Sequence, residues 1–315
     1  MFDANEIAKL VEVSKMYYEE NMTQSDIANK INVSRPLVSK MLSKAKELGI
    51  VKIEIRSIYS NNDSLLNEIK ESFNLSDGIV VPQSKTDYIT KQSVLSQAYS
   101  YIKGFFEENI KIGIGWGYGI RELVNEFVKA PDNLIYGGEV FPLIGTANIP
   151  NKGYHPNELI MDFANNTGLT PMYMYAPAFP TSNEEKNIYT STSNYIELNK
   201  KWNEIDICIM CIGNFPSVPD EATAVRFGRK LIEEKAIGSF LSYYFDKNGK
   251  IIESNDDHVV HIPLDKLFKS KVVIALCLDC STDAIIGAIK TGVISHIIID
   301  EKKAKEILVN YMSLK

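Results

Sequence analysis

The stretch from Met22 to Ile55 constrains this chain more than any other, because four short elements follow one another there in an order that few packings satisfy. Thr23-Gln24-Ser25-Asp26-Ile27-Ala28 opens a short helix, and Asn32-Val33-Ser34 makes a turn. Arg35 to Leu48 has helical periodicity, and Ile50-Val51-Lys52-Ile53-Glu54-Ile55 alternates as a strand does. At about 100° per residue from Arg35, the residues Leu37, Val38, Met41, Leu42, Ala45 and Leu48 share an arc of about 140°. Arg35, Pro36, Ser39, Lys40, Ser43, Lys46 and Glu47 take the opposite arc, with Lys44 at the border. One face packs and the other is left to meet a partner. Ser34 suits the N-cap, and Pro36 in the first turn has no helical N–H to lose.

From Ile27 through Lys46 there are five basic residues and no acidic one, in a chain of net charge −6. That local reversal suits neutralisation of phosphates. Helix, turn, capped basic helix and strand in this order make a winged helix-turn-helix, which sets one helix into the major groove of double-stranded DNA. Arg35, Ser39, Lys40 and Ser43 are the groove-facing candidates, with Ser34, Pro36 and Lys44 on the same helix. Thr23 and Gln24 are placed to hold backbone phosphates. A solvated basic face would be the plain explanation for a lone helix; the ordered set of elements argues against it.

The chain is 315 residues long, too long for one small core, so two domains are expected. The division predicted is a DNA-binding domain at 1–56, an Asn- and Ser-rich linker at 57–64, and an effector-binding and oligomerisation domain at 65–315. Hydrophobic residues make up 45% and charged residues 23%, an ordinary globular mixture. No window reaches the roughly 18 apolar residues of a membrane span and no secretion signal opens the chain, which points to a cytoplasmic protein without a membrane partner.

Beyond the linker, short apolar runs alternate with helical patterns. The runs are Gly78 to Pro82, Lys111 to Gly115, Val140 to Ile144, Ile205 to Ile212, Val272 to Leu278 and His296 to Ile299. Buried β-branched runs of this kind argue for an α/β domain with a mostly parallel sheet covered on both faces. Ligands of such sheets bind beyond the carboxyl ends of the strands. That rule nominates four loops: Gly115-Trp116-Gly117-Tyr118-Gly119; Gly145-Thr146-Ala147-Asn148 with Asn157; Gly213-Asn214-Phe215; and Asp279-Cys280-Ser281-Thr282-Asp283. Their neutral donors and acceptors, with Trp116 as an aromatic face, suit a polyhydroxy ligand.

Tyr17 to Ala28, Val33-Ser34-Arg35-Pro36-Leu37-Val38-Ser39-Lys40-Met41-Leu42 and Gly49-Ile50-Val51 together resemble the N-terminal domain of SorC-type sugar-binding transcriptional regulators. Ala176-Pro177, Tyr244-Phe245-Asp246 and Ile298-Ile299-Asp300-Glu301 are similar to that family's later stretches. The resemblance implies a sugar-phosphate isomerase-like fold for the larger domain, assembly as a homodimer or homotetramer on a pseudo-palindromic operator, and a carbohydrate effector. This chain departs from the family where cations favour a phosphate. Tyr118 and Gly119 replace the usual Arg and Thr, Ser281 stands at the usual Lys position, and Gly238-Ser239 replaces Gly-Asp. The effector is therefore left open among a sugar, a polyol and a sugar phosphate.

Two other readings compete with this one. Cys208/Cys211 and Cys277/Cys280 are Cys-x-x-Cys pairs, a zinc or redox pattern. Residues three apart on a strand face opposite ways, so packing is favoured and neither metal nor cofactor is expected. An isomerase-like enzyme would need a tuned carboxylate or histidine, for which Asp279, Asp283 and Asp300 are candidates by location. Aspartates at strand ends more often cap the next helix. His155, His258, His261 and His296 are scattered, the middle two in what reads as an exposed hairpin. A regulator rather than an enzyme is expected.

Overall fold

The computed structural model describes residues 4–20, 22–48, 50–51, 62–130, 137–147, 152–216, 226–254 and 257–312. The chain forms two compact units, residues 1–58 and 59–315. The expected strand from Lys52 to Ile55 and the linker up to Asn61 lie outside the described residues.

The first unit contains α1 (Ala4–Tyr18), α2 (Gln24–Lys30) and α3 (Arg35–Glu47). The Thr23 hydroxyl caps α2 by accepting from Asp26 N at 3.2 Å, which satisfies one of the N–H groups that a helix start leaves open. Asn32 adopts φ 55°, in the left-handed region that asparagine tolerates, and so turns the chain sharply between α2 and α3. Val13 and Met16 of α1, Ile27 and Ala28 of α2, and Val38 and Leu42 of α3 form the buried centre.

In the second unit α4 (Asp63–Phe73) precedes β1 (Asp77–Val81), and α5 (Asp87–Lys103) leads to β2 (Lys111–Ile114). Then come α6 (Tyr118–Lys129), β3 (Glu139–Pro142), α7 (Pro156–Thr167) and β4 (Thr170–Pro171). After α8 (Asn183–Thr190) and α9 (Ser193–Lys201) lie β5 (Ile207–Cys211), β6 (Gly213–Asn214), α10 (Lys230–Glu233) and β7 (Gly238–Phe240). The chain continues through β8 (Tyr243–Phe245), β9 (Ile251–Ile252), α11 (Leu264–Lys269), β10 (Val272–Leu276), α12 (Thr282–Lys290), β11 (His296–Asp300) and α13 (Glu301–Met312).

Seven strands form one sheet in the order β1-β11-β10-β5-β2-β3-β4, every pair parallel. All six apolar runs of the sequence became strands of it. The period of two divides each strand between two cores: Ile207 and Ile209 of β5 join the core with α5, α6 and α7, whereas Cys208 and Met210 join the one with α9, α12 and α13. The sequence did not foretell β4 or a second, four-stranded antiparallel sheet ordered β6-β7-β8-β9.

The His258 to His261 stretch is not an exposed hairpin. His261 bridges Ile144, Ile262 N donates to Leu143 O at 2.8 Å, and Val260 is 1% exposed. The apolar residues around these two histidines fill a gap beside β3, and burial overrides the polar look of Asp256-Asp257.

Candidate functional site

On α3 the burial follows the helical period. Val38, Leu42 and Ala45 are buried, while Ser34, Arg35, Pro36, Ser39, Lys40 and Ser43 are exposed and Lys44 is half-buried. Leu37 departs from expectation: it lies at the border of the packing arc and is 44% exposed, because α1 and α2 cover only the centre of that arc. Arg35 shares a hollow of about 600 Å³ with Tyr17, Tyr18, Thr23 and Gln24 at the start of α2. A cation and open N–H groups beside one concave surface suit a backbone phosphate.

The second site follows from the topology. From β2 the chain proceeds outward to β3 and β4; from β5 it proceeds the other way, to β10 and β11. The loops after β2 and β5 therefore part and leave a crevice between them, the usual ligand position in open parallel sheets. A cleft of about 360 Å³ lies there, lined by Trp116 to Gly119, Cys211 to Asn214, Ser239 to Ser242, Tyr244, Leu276, Leu278 and Asp279.

Gly117 has φ +97°, which only glycine adopts without strain, and a Cβ there would meet nothing within 4 Å. The turn thus presents the open first-turn N–H groups of α6 to the cleft. Gly119 is needed for contact with the sheet, since a Cβ on it would stand 2.5 Å from Cys211 Sγ. Asn214 ties two loops together: its Nδ2 donates to Asp279 O at 3.0 Å, and Ser281 N donates to its Oδ1 at 2.7 Å. Lys91 Nζ pairs with Asp279 at the rim and lies 4.6 Å from the Tyr118 ring centroid. Trp116 leans on Phe179, ring centroids 5.9 Å apart.

The far wall is the β7–β8 turn. Leu241 and Ser242 stand at φ 47° and 66°, both in the left-handed region. Their carbonyls are held from behind, Leu241 O by the His261 Nδ1–H at 2.8 Å and Ser242 O by Arg226 Nη2 at 3.3 Å. Burial pushes the His261 imidazole down to about 4, so it is neutral and stacks on Tyr243 with centroids 4.0 Å apart. Arg226 is bound side-on by Asp257, Nη2 to Oδ2 at 2.9 Å and Nε to Oδ1 at 3.2 Å. Burial raises the Asp257 carboxyl, and the guanidinium more than offsets this and holds it below its ordinary range.

Of the residues nominated from the sequence, the structure brings Trp116, Gly117, Tyr118, Gly119, Gly213, Asn214 and Asp279 into the cleft. Gly115 sits beneath them, its N–H donating to Ile209 O at 2.8 Å. Gly145, Thr146 and Ala147 do not line it. Gly145 and Thr146 are paired through their backbone with Val260, Ala176 and Ala178. Asn157 is taken up by both backbone groups of Met174. Ser281 caps α12 by accepting from Ala284 N, and the Thr282 hydroxyl accepts from Asn310 Nδ2 at 3.4 Å. Asn148 lies outside the described residues. Asp300 serves α13 in the same manner as Ser281 serves α12, accepting from Lys303 N at 2.9 Å. Sequence reasoning missed Lys91 and the β7–β8 turn. Leu241-Ser242 lacks the Asn or Gly that marks a two-residue hairpin, so no local signal announced it.

Three of the four cysteines, Cys211, Cys277 and Cys280, gather at the strand ends, while Cys208 lies apart from them beside Ser270 Oγ at 3.4 Å. Burial pushes the Cys208, Cys211 and Cys277 thiols up, Cys208 to about 12, which suits packing rather than thiolate chemistry. Among the described residues, no group of three His, Cys, Asp or Glu side chains is placed to hold a metal ion.

The family model of a sugar-binding domain matches residues 58–309, the whole of the sheet-containing unit but its last six residues. The chain belongs to the SorC-type family of sugar-binding transcriptional regulators. Within the family, it is 25% identical over 312 residues to the deoxyribonucleoside regulator of Bacillus subtilis (strain 168), covering 95% of this chain and 96% of that one. It is 23% identical to the sorbitol operon regulator of Klebsiella pneumoniae, covering 98% and 100%. The crystal structure of that full-length Klebsiella regulator superposes with a TM-score of 0.79 at 22% identity, covering 98% of this chain and 100% of the other. No helix among the described residues is long and apolar enough to cross a membrane.

Proposed function

We propose that this chain is a DNA-binding transcriptional regulator whose operator affinity is set by a small carbohydrate-type effector in the cleft between the β2 and β5 loops. One observation carries the reading: a helix with an exposed basic face and a cleft at the sheet's switch point occur in one chain of the SorC-type family. Arg35, Ser39, Lys40 and Ser43 contact base edges and phosphates of a pseudo-palindromic operator, read in the cytoplasm by a homodimer or homotetramer, because one reading helix supplies too little discrimination. The effector acts only through a difference in affinity between two arrangements of the subunits.

Regulation is favoured over catalysis by the cleft's composition. Its one carboxylate among the described residues, Asp279, is paired to Lys91, and Asp300 is spent on a helix cap. The test is fluorescence anisotropy on DNA from upstream of the gene, with and without a pool of sugars, polyols and their phosphates. Salt-sensitive binding that the pool alters supports the reading. Binding that no member of the pool changes rejects a carbohydrate effector, and absence of specific binding rejects the assignment of α3.

A further inference from the structure

The cleft has one charge of its own, and it is negative. Among the described residues that line it, Asp279 is the only ionised side chain, and 65% of that side chain is exposed. Lys91 at the rim is tied to Asp279 and covers the Tyr118 ring; it lines a neighbouring hollow rather than the cleft. Arg226, behind the Ser242 wall, has its charge matched by Asp257. The stretches that follow two of the nominated loops, 148–151 and 217–225, contain no Lys or Arg, and the second contains Asp220 and Glu221. The remaining polar groups are neutral: Asn214, Ser239, Ser242, Tyr118 and Tyr244. Ser239 and Ser242 hydroxyls make no hydrogen bond among the described residues, which leaves both free to donate and accept.

From this we infer that the effector is an unphosphorylated polyhydroxy compound, a free sugar or polyol, whose vicinal hydroxyls donate to the Asp279 carboxylate. The inference rests on the carbohydrate reading above and narrows it. A phosphate dianion brought to this cleft would lose water, would face Asp279, and would have to compete with that carboxylate for Lys91 at the rim, an arrangement that desolvation makes worse. A neutral polyol asks for what the walls offer, a carboxylate that accepts two hydroxyls, amide and hydroxyl groups that do both, and the Trp116 face for its C–H groups. The open N–H groups at the start of α6 serve a hydroxyl oxygen as well as an anion. One group points the other way: Arg226 Nη1 is buried without a partner among the described residues, and it is the place an anion would be found if one binds.

The experiment is calorimetry on the full chain with matched pairs: ribose and ribose 5-phosphate, fructose and fructose 6-phosphate, sorbitol and sorbitol 6-phosphate, erythritol and erythritol 4-phosphate. At least one free member is expected to bind tenfold or more tightly than its phosphate, with an affinity that salt does not change. Asp279→Asn is expected to weaken that ligand at least tenfold and to narrow or reverse the preference against the phosphate, while the melting temperature of the unliganded protein holds. A phosphorylated member binding more tightly overturns the inference and leaves the carbohydrate reading standing; loss of that binding in Arg226→Gln then locates the anion. Binding of neither member in any pair overturns both.

Discussion

The α3 surface and the cleft are both candidate binding sites, yet they are built in opposite ways. The first is one contiguous helix whose exposed face can be counted off a wheel, and its chemistry is a surplus of charge. The second is assembled from loops after β2, β5 and β10 and from the β7–β8 turn, and its chemistry is a near absence of free charge. The contrast suits two ligands of different kinds. A polyanion is met by exposed cations on a convex helix, whereas a small neutral molecule must be enclosed by donors and acceptors held from behind. The supports differ accordingly: Arg35 and Lys40 reach out into solvent, whereas the Leu241-Ser242 carbonyls are held by His261 and Arg226.

Four changes would sharpen or break that contrast. The largest effect is expected from Arg35→Ala combined with Lys40→Ala. Two lost contacts at about 1–3 kcal/mol each should weaken operator binding by roughly a thousandfold, with effector-induced thermal stabilisation intact. Unchanged operator binding in anisotropy would remove α3 from the comparison.

Next is Gly145→Ala. Its Cβ would stand 2.6 Å from Ala178 N and 2.7 Å from Ala176 O, both rigid backbone. A loss of about 3 kcal/mol in urea unfolding is expected. A stable variant that no longer responds to effector would return this loop to the site.

Acid acts through the cleft's support. The His261 pKa in the folded protein, about 4, is below the unfolded value of about 6.5. The unfolded state therefore binds more protons between these values, and stability is lost as pH falls through that window. The drop should be on the order of 2 kcal/mol, and His261→Gln should flatten it. The same unfolding curve measured from pH 7 down to pH 4 in both proteins would reveal an identical slope if His261 is not responsible.

Ser281→Ala gives the smallest effect. Loss of the α12 cap should cost about 1 kcal/mol and leave effector affinity alone. A weakened effector response at unchanged stability would mean that this side chain reaches the ligand and not only its own helix.

Legibility differed between the two regions for a physical reason. The helix-turn-helix depends on interactions within a few residues, such as the Thr23 cap, the left-handed Asn32 and the spacing of Val38, Leu42 and Ala45, and each has a local signature. The strands of the parallel sheet were equally legible, since burial on both faces demands unbroken apolar runs. Within the cleft, the glycine turn at Gly115 to Gly119 could be nominated because strand ends and helix starts are local. Thr146, Asn157, Ser281 and Thr282 look like ligand-binding residues in sequence, but polar side chains at strand ends also serve the fold, and here the first three bond backbone groups and Thr282 bonds the Asn310 side chain.

Taken alone, then, the sequence determined the helix-turn-helix, the division into a small and a large unit, the α/β class and which loops gather at one sheet edge. Propensity, capping and periodicity act over a few residues, and composition acts over the whole chain. Only the tertiary structure decided which of those loops form the cleft, that Lys91 would meet Asp279 across 188 positions, and that the β7–β8 turn would close the far wall. Such pairings are set by strand order, and strand order leaves no mark on the residues that end up side by side.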